Sequence, residues 1–141
     1  MAKYKAIIHW EKGDDQQESY SWTFENGIVL HNTNNAMLAS PGVIDPESAF
    51  VASVASCHML SLFAIAAKHG LSIQHYHDEA VGVLEKNAEG RIAITRVLLR
   101  PDIQFHSDKQ PTDLEVSALH DEANRNCFIG NSIKTSIHIE S

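Results

Sequence analysis

Cysteine is scarce in this 141-residue chain: Cys57 and Cys127 are its only two. Two are too few for the disulfide framework of a small secreted domain, and neither belongs to a Cys-x-x-Cys pair of the zinc-ribbon or thioredoxin kind. Whatever chemistry they carry, they carry as thiols. Basic residues are also few, with 11 Lys and Arg against 18 Asp and Glu and a net charge of −7. That sign disfavours nucleic acid and an anionic membrane surface as partners. The start, Met1-Ala2-Lys3-Tyr4-Lys5, lacks the apolar segment of a signal peptide, and no 18 uninterrupted apolar residues occur; a cytoplasmic protein without a membrane span is expected. Repeats, low-complexity tracts and charge blocks are absent too. With 43% apolar residues and no break in composition, the length suits a single domain over 1–141.

Three short strands open the chain. They cover 3–10 and the two halves of 18–31, the latter joined at Asn26-Gly27, a two-residue hairpin signal, with Gly13-Asp14-Asp15 turning the first into the second. Asp45-Pro46-Glu47 then reads as a helix start, with Asp at the N-cap, Pro at the first position and an acid facing the positive end of the dipole. Lys68-His69-Gly70 reads as its stop. Residues 72–86 and 91–106 alternate polar and apolar around Asn87-Ala88-Glu89-Gly90, a long hairpin with Ile92, Ile94 and Leu98 on one face. Thr112-Asp113-Leu114-Glu115 is a capping box for a second helix running to about Arg125. The closing segment has period two, with Ile133, Ile137 and Ile139 inward, and reads as an antiparallel strand with one exposed face. The order βββ-α-ββ-α-β, with strands in runs, predicts an α+β fold of antiparallel sheets around a central helix.

That helix is apolar around its whole circumference, and at about 23 residues it is about 34 Å long. One modest sheet covers only one side of it. A homodimer with this helix near its centre is therefore expected.

Cys57 stands in the middle of the apolar helix, where position alone reads as a small packed hydrophobe. Cys127 follows the second helix, where position alone reads as a loop thiol. His58 neighbours Cys57 but points about 100° away around the helix; a hydrogen-bonded interface histidine is the plainer reading beside thiolate activation. His75 and His77 share a strand face, yet spacing indicates no third ligand for a zinc site. Trp10, Trp22, Phe24 and Phe50 suit either core or an apolar pocket. Ser56 and Ser61 lack the Gly-x-Ser-x-Gly surroundings of a serine nucleophile.

The string Asp45-Pro46-Glu47-Ser48-Ala49 followed by Ala55-Ser56-Cys57, with a second cysteine after the second helix and a terminal strand, resembles the OsmC/Ohr family of osmotically inducible and organic-hydroperoxide-resistance proteins. The resemblance in element order spans essentially the whole chain. It implies an intertwined α+β homodimer that reduces organic hydroperoxides with no metal or other cofactor. Carried over, Cys57 is the peroxidatic nucleophile, Cys127 resolves its sulfenic acid as a disulfide, and an external dithiol reduces that disulfide. Glu47 matches the family glutamate that holds an arginine. Ten helical residues put Glu47 about 15 Å from Cys57 along the axis, so it can serve only the other subunit's cysteine unless the helix breaks. The family arginine of the N-terminal third has no counterpart here, since no arginine precedes Arg91, and Phe128 stands where family members often have proline. Lys12, His31 and Arg125 are the substitutes considered for that cation. Lowering a thiol pKa by about two units takes about 2.7 kcal/mol, which a helix dipole does not supply at mid-helix. An OsmC-like dimer that binds an apolar small molecule without peroxidase turnover is the alternative.

Overall fold

The computed structural model describes residues 1–11, 19–33 and 43–140. It divides into two units, Met1–Pro46 and Glu47–Ser141.

The first unit is an antiparallel sheet in the order β1 (Ala6–Trp10), β2 (Ser19–Phe24), β3 (Val29–Thr33). The β2–β3 connection is one residue longer than the Asn-Gly signal predicts. Gly27 N–H donates to the Phe24 carbonyl at 3.0 Å and Phe24 N–H donates to the Ile28 carbonyl at 2.9 Å, which leaves Glu25, Asn26 and Gly27 as a three-residue loop. Gly27 takes φ +89°, the left-handed bulge position that such loops need. The turn expected at Gly13-Asp14-Asp15 lies outside the described residues.

The second unit is organised on α1 (Pro46–Lys68), whose limits match the Pro46 start and Gly70 stop. Leu71 N–H donates to the Ala66 carbonyl at 2.9 Å and Gly70 N–H to the Ala67 carbonyl at 3.1 Å, with Gly70 at φ +69°. This Schellman closure is why the helix ends there. The predicted hairpin forms, but each arm breaks once: β4 (Ile73–Asp78) and β5 (Val81–Lys86) on one side, β6 (Ile92–Leu99) and β7 (Pro101–Phe105) on the other. β4 pairs with β7 and β5 with β6. At the break the Asp78 carboxylate accepts the Arg100 N–H at 2.7 Å, replacing a ladder bond. The capping box at Thr112 opens α2 (Asp113–Asn126) as expected. A single further turn, α3 (Phe128–Asn131), precedes β8 (Ser136–Ile139).

Two sequence expectations change. β8 runs parallel to β6, not antiparallel to its neighbour, because β7 and then α2 carry the chain back before it re-enters the sheet, a crossover that parallel pairing requires. On β6, Val97 and Leu99 are the buried residues rather than Ile92 and Leu98. The ladder skips Thr95 between Val83↔Arg96 and Leu84↔Ile94, and this bulge shifts the inward parity by one residue.

The core has two apolar clusters, both leaning on α1. Val54 joins Val97 and Leu99, flanked by Phe50, Ile94, Ile133, Ile137 and Ile139. Further along, Leu62, Ile65 and Ala66 join Leu71, Phe105, Leu119 and Ala123. The helix buries one stripe, Val54, His58, Leu62, Ile65 and Ala66, and is not buried all round within the chain: Leu60 is 60% and Phe63 36% exposed. By length and composition alone α1 could cross a bilayer, yet its buried stripe holds the core of this unit. Gly82 on β5 lets the helix approach, since a Cβ there would lie 2.6 Å from Val51 Cγ2. Gly82→Ala is expected to lower stability by about 1–3 kcal/mol through overpacking, read as a drop in the urea midpoint with unchanged m-value.

Candidate functional site

The fold brings Cys57 and Cys127 together. Cys57 is half-buried on α1, whereas Cys127 is fully buried at the junction of α2 and α3. Cys57 lies near enough to Cys127 to act on its titration, and both cysteines are free. Cys127 closes α2 and caps α3, its sulfur accepting the Gly130 N–H at 3.3 Å. Burial pushes the Cys127 thiol above its ordinary pKa, and the neighbouring Cys57 thiol adds to that, while the amides of Gly130 and Ile129 pull the other way. No cationic side chain contributes to the shift among the described residues. A buried thiol held in its neutral form is a poor first nucleophile. Cys57, by contrast, is partly exposed.

A cleft of ≈ 610 Å³ opens beside Cys57, walled by Leu60, Ala64 and Ile65 of α1 and by Phe128, with Lys68 and Glu122 also on its lining. This volume lies within the range of small-molecule sites. Lys68 stands eleven residues along α1, about 16 Å from Cys57, too far to pair with a thiolate.

Beside the thiols lies a buried polar cluster. His58 and His120 are 1% and 9% exposed; His58 Nε2 and His120 Nδ1 are hydrogen-bonded at 2.9 Å, with the ring planes 6° from parallel. His58 Nδ1, Tyr76 Oη and Asp78 Oδ2 are buried without a hydrogen-bond partner. A bare ring nitrogen is tolerated inside a protein better than an orphaned N–H, so His58 Nε2–H is the donor and His120 Nδ1 the acceptor. Burial, and secondarily His120, lower the His58 pKa to about 4. Burial also lowers that of His120, against Asp121 and Asp78, which raise it. Tyr76 is pushed up by burial and by Asp78. His58 is thus a core histidine of its own chain rather than an interface one. His120 was not singled out by sequence, although Val116, Leu119, His120, Ala123 and Cys127 form a helical stripe that would have placed it inward.

Glu47 does not join the thiols within one chain. α1 is unbroken, and Glu47 is exposed in its first turn, lining a second cleft of ≈ 680 Å³ with Val51, Ala55, Asp78, Val81 and Leu84. Among the considered cations, Lys12 lies outside the described residues, His31 belongs to the first unit, and Arg125 is exposed on α2. His75 and His77 stack at 6.4 Å on exposed β4 positions, with His77 3.5 Å from Glu79. Phe50 packs in the core, and Trp10 and Phe24 lie partly exposed on the first sheet.

An α+β unit in which a central helix and a later helix end present two adjacent thiols defines a class of cysteine-bearing proteins. The chain belongs to the OsmC-like family, whose model, described as OsmC-like protein, matches residues 40–141. It is 35% identical to an OsmC-like protein of unknown function from Vibrio cholerae, with a TM-score of 0.92 and 99% of each chain covered. It also resembles an OsmC-like protein from Mycoplasma pneumoniae (14% identity, TM-score 0.78, 99% and 95% covered). The organic hydroperoxide resistance protein OhrB of Bacillus subtilis has the same fold (18% identity, TM-score 0.67, 97% and 98% covered). No curated protein gives a significant match.

Proposed function

We propose that this protein is a thiol peroxidase that reduces organic hydroperoxides. The reading is supported above all by the nearness of Cys57 and Cys127 beside a cleft with apolar walls, and by membership of a family that includes organic hydroperoxide resistance proteins. The Cys57 thiolate attacks the terminal peroxide oxygen; the S–O bond forms as the O–O bond breaks, and the alkoxide leaves as an alcohol after taking a proton. Cys127 then attacks the sulfenic sulfur, expelling water and closing a disulfide. An external dithiol returns two electrons and two protons, leaving as its own disulfide. No metal or other cofactor enters these steps.

In this reading the chain acts as one domain in a cytoplasmic homodimer. A second copy covers the outer face of α1, where Leu60 and Phe63 stand exposed, and Glu47 faces the partner's thiol pair. A second reading, binding of an apolar small molecule without turnover, is favoured by the apolar walls of the same cleft. Adding an alkyl hydroperoxide to reduced protein discriminates between them. A peroxidase loses two thiols per chain as the peroxide disappears, with a Cys57–Cys127 disulfide in the peptide mass map. Peroxide left intact and both thiols retained would leave only the binder.

A further inference from the structure

α1 meets α2 at two unlike points. Cys57 lies near Cys127, and the very next residue, His58, is hydrogen-bonded to His120, two turns back along α2. Residues seven apart on a helix lie on nearly the same face, about 10 Å apart axially, whereas neighbours diverge by about 100°. Both contacts form together only for one rotation of α1 against α2. The apolar neighbours, Leu62, Ile65 and Ala66 against Leu119 and Ala123, are non-directional and tolerate small rotations. The imidazole pair is directional, and it sits at the joint between the two apolar clusters, with Val54 one turn before and Leu62 one turn after His58 on the buried stripe.

We propose that His58 and His120 are positioning residues that fix the rotation of α1 at which the Cys57 and Cys127 sulfurs can close a disulfide. The inference rests on reading those cysteines as a pair that oxidises to a disulfide, but not on the peroxide as oxidant. A side chain's tip lies about 5 Å from the helix axis, so a turn of about 20° moves the Cys57 sulfur by nearly 2 Å. A disulfide requires sulfurs about 2.05 Å apart and Cβ atoms about 3.5–4.5 Å apart. Such a rotation decides whether the bond closes without strain.

The test is the thiol–disulfide equilibrium of the full chain in buffers of reduced and oxidised glutathione. Oxidised glutathione takes two electrons and two protons from the dithiol to give two molecules of glutathione. His58→Leu/His120→Leu replaces both rings by apolar groups of similar size, a change that leaves folding nearly intact because no single partner is orphaned. Its equilibrium constant for disulfide formation is expected to fall at least tenfold. His120→Asn presents an acceptor oxygen near the place of Nδ1 and is expected to stay within threefold of the native protein.

A folded double-Leu protein with a native equilibrium overturns the proposal. So does a tenfold loss in His120→Asn, and this second arm decides the matter if the double variant fails to fold. Native protein that forms the disulfide with glutathione but consumes no hydroperoxide removes the peroxidase reading and leaves the positioning role standing. Native protein that forms no disulfide at all overturns both.

Discussion

Cys57→Ser is expected to lose hydroperoxide consumption by on the order of a hundredfold or more, because a neutral serine hydroxyl is no substitute for an activated nucleophile. The remaining thiol cannot take over: Cys127 is fully buried and its pKa is raised by that burial. Cys127→Ser should behave differently. Serine is a preferred N-cap, so its hydroxyl can accept the Gly130 N–H in place of the sulfur and keep α3 closed. This variant should consume about one equivalent of peroxide and stop at a sulfenic acid on Cys57, which dimedone traps as an adduct seen by mass spectrometry. Consumption that continues undiminished in Cys57→Ser would place the chemistry elsewhere.

Acid is expected to weaken the fold through His58. Its pKa falls from 6.5 to about 4 on folding, chiefly by burial. Between these values the unfolded chain binds a proton that the folded chain refuses, so stability declines as pH drops through this window. Above about pH 6.5 the histidine is neutral in both states and contributes no pH dependence; below about pH 4 the full loss is in place. A shift of this size corresponds to about 3 kcal/mol, a substantial share of the 5–15 kcal/mol that is typical of a domain. His120 lies on the other side of the hydrogen bond and is itself held down by burial, with Asp78 and Asp121 opposing. Urea unfolding at pH 7 and pH 4.5 measures the loss. Carboxylates titrate near the lower end of the same range, so the comparison protein is His58→Leu/His120→Leu, whose decline should be smaller by about 2–3 kcal/mol. An equal decline would remove the imidazoles as the cause.

The elements with strong local signals were legible in the sequence. Pro46 and Gly70 bracket α1, and Thr112 with Glu115 opens α2, because capping depends on a few adjacent residues. Two features escaped for want of a local code. The bulge at Thr95 reverses which β6 residues face inward, and nothing in Ile92–Leu99 marks it. The direction of β8 depends on where α2 returns the chain, which its alternating isoleucines do not encode. At the site, resemblance supplied both cysteines, and their nearness across 70 positions of sequence comes from the tertiary fold. His120 was in principle readable from the apolar stripe of α2. Its pairing with His58 was not, since two histidines on separate helices carry no mutual pattern.

Cys127 plugs the gap between two helices with the same sulfur atom that the chemistry would spend. Oxidation therefore reaches beyond sulfur: the buried Cys127 sulfur trades its hydrogen for a bond of about 2.05 Å to Cys57, which turns it from the Gly130 N–H, so that peptide group should swap its hydrogen with deuterated solvent faster in oxidised protein than in reduced protein. The last turn before β8 would then serve as a built-in gauge of how many electrons the molecule holds.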